Sequence, residues 1–565
     1  MRDKQSAAEA SVVDQTNLLP KGELLVVFGV LAVSLFICFV DQNGIGVILP
    51  TISRDLNAAD TISWAGTSAL IANTVFQVLF GRLSDLFGRK VVFLSALVLL
   101  ATCDLLCGFS QNATMLYVFR GLAGVANGGI TSLSMMIVSD IVTLKERGKY
   151  QGILGACVGL GNMVGPFIAA AFAQHSTWRG LFWLVSPLAA LCCVICSFTL
   201  PASKDSLKLD YSTVSKKIDY WGVLFGSAAI VLILIPVSGG GSYFQWDSPM
   251  VVSMLVIGGS CALAFFFVEY KVALLPMMPL SLFCNAPVCV LLLQNFFFGI
   301  VYYSQLYYLP LFFQNARRMS PIMSAALVLP ITAAQMTLSI LSGQYISRRE
   351  RYGEVIWLGF FLWTLGVGLT CIFDLTTPIV AIVVILLIQG AGVGLIFQPT
   401  LVALQAHCTK GQRAVVISNR NFLRSLGGAV GLAISAAALQ SSLKKAMPSG
   451  LASTFSSYDR PDFTAFNASE EQTQAILQAY ATASRTVFIM NVPFMALCLL
   501  GCVLIRDRGL QRPDEPQWGG SGDTTMGVEV EKGDDKTDGI QHIVRDASKL
   551  EQVDGREKLT SKGST

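Results

Sequence analysis

The chain has 565 residues, of which 53% are hydrophobic and only 13% are charged. Soluble proteins carry about 25% charged residues, so this composition excludes an ordinary soluble enzyme and is typical of a protein that crosses a membrane many times. The net charge is only +4, and without a basic groove pattern or a zinc-finger motif we expect no nucleic-acid partner. The 14 cysteines mostly lie in apolar stretches, which favours packing over disulfides or metal binding.

Apolar stretches long enough to span a bilayer, which takes about 20 residues, occur fourteen times. The N-terminal residues are polar and lack a signal-peptide pattern, and the loop cations place both termini in the cytoplasm. The predicted segments 1 to 14 are 24–47, 61–83, 90–110, 114–138, 149–173, 178–200, 219–238, 248–269, 286–312, 320–346, 354–373, 377–404, 413–440 and 484–505.

These segments predict an all-α polytopic membrane protein with 14 transmembrane helices, arranged as two six-helix bundles plus two inserted helices. The loops that begin at Gly81 and Gly343 both carry cation clusters, which is the trace expected of two related bundles. We predict a cytoplasmic tail (1–23), a first bundle (24–200), a cytoplasmic linker (201–218), an inserted helix pair (219–270), a second bundle (271–505) and a disordered cytoplasmic tail (506–565).

One long loop of the second bundle, residues 441–483, is predicted to lie on the non-cytoplasmic side. It contains the sequon Asn467-Ala468-Ser469. An asparagine in this context is a candidate glycosylation site.

Two charged residues stand out within predicted spans. Asp41 lies deep in segment 1, where an ionised carboxylate is costly unless it is paired or protonated, and Gln42 and Asn43 add polar surface for a substrate. The alternative is that segment 1 ends early and Asp41 lies at the interface. Arg120 in segment 4 shares a helix face with Asn127; its alternative is a cation that reaches the interface through its long side chain.

Segments 3 and 13 carry further buried charges. Asp104 is a candidate proton carrier, cation-binding group or tolerated cavity residue. Arg420 and Arg424 follow Arg413 by seven and eleven residues, so all three lie on one face of a helix. Arg424 is therefore expected to meet either an anionic substrate group or a carboxylate of the bundle interior.

Segments 9 and 12 supply a mixture of aromatic and amide side chains. Such a mixture suits an organic ligand whose pose is fixed by a few polar groups. The candidate cavity residues are Gln42, Asn43, Asn127, Gln294, Phe298, Tyr302, Gln305, Gln389 and Gln398.

Segment 5 is rich in small residues, and Pro166 interrupts its backbone hydrogen bonding. Gly161 and Gly165 allow a neighbouring helix to approach closely. We therefore predict that Gly161, Gly165 and Pro166 form a packing pivot between helices of the two bundles; ordinary membrane-helix packing is the alternative.

These motifs resemble the major facilitator superfamily, and within it the fourteen-helix drug:proton antiporter family of fungal efflux pumps. The resemblance rests on four motifs, which are the loop GRLSDLFGRK (81–90), the segment 4 motif around Arg120, the segment 5 motif GNMVGPFIAA (161–170) and the segment 1 motif that begins at Asp41. It implies export of a small organic compound (a toxin, secondary metabolite or drug) in exchange for protons by alternating access. The implied proton-coupling residues are Asp41 and Arg120, with Arg424 as a third.

The resemblance also gives the loop GRLSDLFGRK a role as a conformational latch. Asp85 is expected to face the N-terminal end of segment 13, where the helix dipole favours a carboxylate, and Arg89 is expected to pair with Asp140. The alternative is that the cations only fix topology. The predicted latch residues are Gly81, Asp85, Gly88, Arg89, Lys90 and Asp140.

No catalytic motif or phosphate-binding loop is recognisable in the sequence. We therefore expect a transporter rather than an enzyme, with the proton gradient as its energy source in place of a cofactor. The family resemblance implies a monomer. The expected partners are a small organic substrate, protons and the lipid bilayer, and the expected location is the plasma membrane, with the vacuolar membrane as the alternative. A vacuolar transporter of basic amino acids and a non-transporting membrane sensor are the rival functions.

Overall fold

The computed structural model describes residues 19–58, 61–62, 64–201, 219–239, 244–273, 275–447, 470–505, 507 and 509–510. The predicted tails, the linker and the sequon at Asn467 lie largely or wholly outside these ranges. The long helices are α1 (Lys21–Asp55), α2 (Trp64–Phe87), α3 (Arg89–Gly108), α4 (Ala113–Ile141), α5 (Leu144–His175), α6 (Gly180–Thr199), α7 (Tyr220–Gly239), α8 (Pro249–Lys271), α9 (Ala286–Asn315), α10 (Pro321–Arg349), α11 (Gly353–Thr370), α12 (Ile379–Phe397), α13 (Arg413–Ala446) and α14 (Glu470–Gly501).

The prediction of an all-α polytopic membrane protein is confirmed. Of the described helices, 13 are long and apolar enough to cross a membrane. The exception is α2, which has the length of a span but carries Asn73, Gln77, Arg82 and Asp85, all of them buried against other helices. Helix α12 ends at Gln398, because Pro399 lacks a backbone N–H and cannot continue the hydrogen bonding of the helix.

The helices pack in two sets. In the first, α1 packs on α5 and α6, α2 on α4, and α3 on α4 and α6. In the second, α9 packs on α13 and α14, α10 on α12, and α11 on α12 and α14. We call these sets the N-bundle (α1–α6) and the C-bundle (α9–α14). They meet where α5 packs on α10 and where α2 packs on α13.

The α5–α10 contact is a glycine-lined crossing of two backbones. A methyl group on Gly152 would lie 2.5 Å from the Ser339 carbonyl oxygen, and one on Gly148 would lie 2.8 Å from that of Gly343. These distances are shorter than van der Waals contact, so glycine is what permits the two helices to touch. The Ser339 hydroxyl also donates to the Gly152 carbonyl at 3.0 Å.

The inserted pair α7–α8 lies against the second contact between the bundles. Leu234 of α7 packs with Ile71 and Val75 of α2 and with Ala429 of α13. The pair therefore covers the seam where α2 meets α13.

A segment that we call the strap, Leu275–Cys284, links α8 to α9 and is tied to both bundles. Arg82 of α2 donates to the Pro276 carbonyl, and Asn419 of α13 donates to the Met277 carbonyl at 3.0 Å. The Glu269 carboxylate accepts from the Met277 and Met278 N–H groups at 3.0 and 3.2 Å. Among the 14 cysteines, Cys284 at the end of the strap alone has an exposed side chain.

Two helix ends differ from the prediction. The predicted loop 441–483 is wrong at both ends, because α13 continues to Ala446 and α14 already begins at Glu470. The early turns of α14 bury Ile476 and Tyr480, so residues that are too polar for a span still form an amphipathic helix.

The first helix likewise continues to Asp55, well past the predicted end of segment 1. Beyond the membrane-spanning part, hydrogen bonds from Trp178 at 2.9 Å and Arg179 at 2.7 Å lower the pKa of Asp55. This contact fixes the far end of α1 to the start of α6.

The α5–α10 crossing gives a stability prediction. Gly152→Ala forces a methyl group into the Ser339 backbone, and overpacking of this kind costs about 1–3 kcal/mol. We expect the apparent unfolding temperature of the purified protein, measured by tryptophan fluorescence, to fall. Gly29→Ala is the matched control because nothing lies within 4 Å of the added methyl group. Equal unfolding temperatures for the two variants would contradict the assigned contact.

Candidate functional site

A buried ion pair links α1 to α4 inside the N-bundle. Arg120 Nη1 lies 2.5 Å from Asp41 Oδ1, and Asn127 Nδ2 donates to Asp41 Oδ2 at 2.7 Å. The Asp41 and Arg120 side chains are 0% and 1% exposed. Segment 1 therefore does not end early, and Arg120 does not reach the interface; both alternatives for these residues are wrong.

Asp104 lies beside the same arginine. Its Oδ1 atom is 3.8 Å from Arg120 Nη1, and neither of its carboxylate oxygens accepts a hydrogen bond. The Asp104 side chain is fully buried. Sequence alone flagged Asp104 but did not reveal that it shares the cation of Asp41.

The position of Arg120 follows from the way α4 starts and packs. The Asn112 side chain caps α4 by accepting from the Met115 N–H at 2.8 Å. On the face that follows Arg120, a methyl group on Gly124 or Gly128 would overlap the backbone of α2 at Ala69 or Asn73. Close packing against α2 thus holds α4 in the rotation that brings Arg120 to Asp41.

Asn43 begins a chain of polar contacts that crosses between the bundles. Its Nδ2 atom donates to Asn162 Oδ1 at 2.8 Å, and Asn162 Nδ2 donates to the Tyr302 hydroxyl at 2.9 Å. Tyr302 then donates to Gln335 Oε1 at 3.4 Å. Asn162 was not predicted as a polar site residue, because it lies within the glycine motif that we assigned to packing.

Gln42 begins a second chain, through α2 to α13. Asn73 donates to Gln42 at 3.2 Å, Gln77 donates to Asn73 at 2.6 Å, and Ser425 donates to Gln77 at 3.2 Å. Sequence reasoning missed Asn73 and Gln77, although amides four residues apart on one face of an apolar helix were a usable signal.

Within the part of the C-bundle that the structure describes, two buried arginines have no acidic partner. The guanidinium groups of Arg420 and Arg424 lie 5.2 and 4.9 Å from the centroid of the Phe397 ring. Arg420 is hydrogen-bonded to Asn295 and to the Phe397 carbonyl. In contrast, Nε and Nη1 of Arg424 are buried without an acceptor.

The sequence explains why no ion pair forms there. Between residues 275 and 447 the acidic residues are Glu350, Glu354 and Asp374. They lie directly after α10, in the first turn of α11 and beyond the end of α11. The described part of α14 adds only Glu470 and Glu471, in its first turn. The interior of the C-bundle is therefore positively charged.

The predicted cavity residues do not all converge. Phe298 stacks on Tyr302 at 5.3 Å and contacts Phe397 at 5.8 Å, close to the two arginines. Gln398 lies near Gly155 of α5, at the contact between the bundles. Gln294 instead donates to the Cys498 carbonyl of α14 at 2.8 Å, so it belongs to helix packing.

Asn127 is likewise engaged by Asp41 and belongs to the ion-pair cluster. Gln305 and Gln389 are buried and retain amide atoms without partners.

The loop 81–90 forms a buried ionic cluster at the predicted cytoplasmic end. Arg89 lies 2.8 Å from Asp85 and 3.0 Å from Asp140, and Asp140 lies 2.6 Å from Arg413 of α13. The expected Arg89–Asp140 contact is therefore present. Asp85 pairs with Arg89 instead of capping α13, and the contact with the N-terminal end of α13 runs through Asp140 and Arg413.

The glycines and Lys90 of this loop have separate structural roles. A side chain on Gly81 would overlap Ser418 of α13, which shows how closely α2 approaches that helix. Gly88 has a φ of 88°, a conformation that favours glycine. Lys90 donates to the Leu200 carbonyl at 2.8 Å and so has its described contact within the N-bundle rather than with α13.

Further polar contacts join the bundles at the same end. Lys145 lies 2.6 Å from Glu350, but the two side chains are 64% and 50% exposed. Solvent screening therefore limits the contribution of this pair to stability. Arg147, which is buried, donates to the Ser139 carbonyl at 2.5 Å and to Gln405 at 3.4 Å. The two bundles are therefore in contact at the predicted cytoplasmic end.

The proposed pivot residues lie elsewhere than expected. A methyl group on Gly161 would lie 2.7 Å from Phe39 Cβ, and one on Gly165 would lie 2.9 Å from the Val40 carbonyl oxygen. Both glycines, with Pro166 in the next position, therefore pack α5 on α1 within the N-bundle. The crossing between bundles uses Gly148 and Gly152 of α5 instead.

Among the described residues, no group of three or more His, Cys, Asp or Glu side chains is arranged to hold a metal ion. The charged groups of the two bundles are therefore the relevant candidates for chemistry.

A family model for the Major Facilitator Superfamily matches residues 31–432. The chain belongs to the major facilitator superfamily. Two relatives in the superfamily are Citrate exporter 1 of Yarrowia lipolytica (strain CLIB 122 / E 150), 48% identical and covering 90% of this chain and 76% of its own, and MFS-type transporter clz4 of Cochliobolus lunatus, 41% identical and covering 89% of each chain. Efflux pump dotC of Dothistroma septosporum (strain NZE10 / CBS 128990) is 30% identical and covers 94% of this chain and 91% of its own.

A solved superfamily structure shares the fold. The proton:xylose symporter XylE, bound to 6-bromo-6-deoxy-D-glucose, aligns with a TM-score of 0.57 at 12% identity over 87% of this chain and 98% of its own. The family match, the long apolar helices and the fungal relatives identify the chain as a multi-pass membrane transporter.

The Asp140 contacts give a second prediction. Asp140→Asn removes the charge that joins Arg89 to Arg413, and hydrogen bonds to charged groups contribute about 1.5–3 kcal/mol each. We expect a larger population with the bundle ends apart, measured as longer distances between spin labels at Lys149→Cys and Arg348→Cys in a Cys284→Ser background. Glu354→Gln, at an exposed acid that pairs with Arg351, is the control. An unchanged distance distribution in Asp140→Asn would argue against a latch.

Proposed function

We propose that this transporter exports a small organic anion that carries a carboxylate, in exchange for protons, by alternating access. As a member of the superfamily with exporters and efflux pumps among its relatives, the chain is a transporter of small organic compounds. The proposal adds the charge of the substrate, the proton coupling and the plasma membrane as the location.

The observation that carries the proposal is the state of Arg424. Its guanidinium is buried, two of its nitrogens lack an acceptor, and the described interior of its bundle holds no carboxylate to neutralise it. Burying an unpaired charge is costly. A substrate carboxylate would supply the missing acceptor, since guanidinium and carboxylate groups match in shape and form two parallel hydrogen bonds.

The surroundings of Arg424 suit an organic anion. Phe397 lies beside the guanidinium, and Tyr302 and Tyr303 interact with it electrostatically. The Tyr302 hydroxyl in turn belongs to the polar chain from Asn43 and Asn162. Aromatic walls with a few fixed polar groups are typical of small-molecule sites.

The name of one relative supports an anionic substrate independently of the geometry. Citrate exporter 1 shares 48% identity with this chain, and citrate carries several carboxylates. We extend to this chain the class of the substrate, an organic acid anion, and use citrate as the first probe.

The proposed coupling site is the Asp41–Arg120 pair in the other bundle. A buried carboxylate held by an arginine becomes easier to protonate when the two move apart, because the cation favours the ionised form. Movement of one bundle against the other would change this distance and so connect proton binding to substrate release.

A neutral or aromatic toxin or drug is the second candidate substrate. The contacts of Phe298 with Tyr302, Trp363 and Phe397 favour it, as does the resemblance to efflux pumps. A basic amino acid is disfavoured electrostatically, because Arg420 and Arg424 would repel its charged side chain.

A transport assay tests the anion site. In proteoliposomes with an imposed pH gradient we expect the wild type to accumulate radiolabelled citrate. Arg424→Gln is expected to raise KM about 10- to 100-fold, because it removes a charge-assisted hydrogen bond, and Arg424→Lys should restore part of the affinity by restoring the charge.

Arg54→Gln is the matched control, since Arg54 is exposed near the end of α1. The anion proposal fails if Arg424→Gln keeps the wild-type KM. It also fails if the wild type moves a neutral aromatic compound but none of a panel of carboxylates.

A further inference from the structure

The Asp41–Arg120 cluster contains more carboxylates than cations. Asp41 and Asp104 both lie within 4 Å of Arg120, and all three side chains are at most 1% exposed. One guanidinium neutralises one carboxylate. If both acids were ionised, the cluster would bury a net negative charge, which is unfavourable in the interior of a helical bundle.

The contacts distinguish the two acids. Asp41 has hydrogen bonds to both oxygens, from Arg120 at 2.5 Å and from Asn127 at 2.7 Å, as an ionised carboxylate requires. Asp104 accepts no hydrogen bond at either oxygen, and its approach to Arg120 is 3.8 Å. The arrangement solvates the charge of Asp41 and leaves the charge of Asp104 without support.

We propose that Asp104 is the proton-binding group of this cluster. In the arrangement described, Asp41 is ionised and holds Arg120, while Asp104 is the neutral acid. When Arg120 moves towards Asp104, the Asp104 O–H bond breaks, the proton is released to solvent, and the guanidinium pairs with the new Asp104 carboxylate. Asp41 loses Arg120 in the same movement and takes up a proton from solvent, so the cluster again holds one proton for two acids and the exchange needs no reactant other than protons. The transport role of Asp104 rests on the proposed function, but its proton binding does not.

Asp104 faces one cation among the described residues, Arg120. It interacts with Asp41 and Cys38 from α1, with Arg120 from α4, and with its α3 neighbours Cys103 and Cys107. From α6, the non-titratable Phe182 lies against Arg120. Arg120 is thus the cation whose movement can change the charge of Asp104.

Asp104 also lies near the predicted outer side. It is four residues before Gly108, where α3 ends, which corresponds to about 6 Å along the helix axis. A proton from outside the cell would therefore have a short path to it.

Infrared difference spectroscopy of the purified full-length protein, comparing acidic with alkaline pH, tests proton binding directly. We expect the wild type to show the C=O stretch of a protonated buried carboxyl group and Asp104→Asn to lose it. Asp104→Glu should restore a band at a shifted frequency, and Asp55→Asn, at an exposed acid of the same bundle, should retain the wild-type band. A band that persists in Asp104→Asn would assign the proton to another acid and overturn the inference.

The same variants in proteoliposomes, with citrate as the probe, test the role in transport. We expect Asp104→Asn to lose accumulation driven by the pH gradient and Asp104→Glu to recover part of it. Retained accumulation in Asp104→Asn would overturn the coupling role. If the wild type does not transport citrate, the proposed substrate fails, while the infrared result still decides whether Asp104 binds the proton.

Discussion

A charge inside a bundle of membrane helices needs a partner, and the two bundles of this transporter leave opposite charges incompletely matched. The N-bundle places two acids, Asp41 and Asp104, around one arginine. The C-bundle places Arg420 and Arg424 around one aromatic ring, and its described residues supply no interior acid. In our proposals a proton neutralises the excess acid of the N-bundle, and an anion neutralises the excess arginine charge of the C-bundle. Both ligands therefore neutralise a buried charge.

Polar contacts connect these two centres across the bundle interface. Gln42 and Asn43 follow Asp41 directly in α1 and begin the two hydrogen-bonded chains, one of which ends at Ser425, beside Arg424. The other reaches Tyr302, which interacts with Arg424. A shift of α1 that changes the Asp41–Arg120 distance would therefore also disturb the neighbours of Arg424. Such contiguous contacts are a physical route for coupling two sites.

The sequence predicted the helical architecture well, because apolar spans and glycine motifs are local signals. It also identified Asp41, Arg120 and Arg424 as charged residues within membrane-spanning segments, where burial of a charge is unfavourable. It did not assign Asp104 to Arg120 or Asp140 to Arg413, because pairing depends on the rotation of separate helices. Gln294 and Gly161 show the same limit. Their residue types indicated a polar contact and a close helix packing, but the spacing along the chain did not indicate which helix each residue faces.

The distribution of thiols gives the molecule a natural reporter position. Cys284 alone presents an exposed thiol, and it ends the strap that Arg82 and Asn419 hold from opposite bundles. A water-soluble fluorophore that reacts with thiols would therefore attach mainly at one place in the native protein, without any engineered cysteine. Its emission would follow the separation of the two bundles during turnover, in a chain whose sequence was never altered.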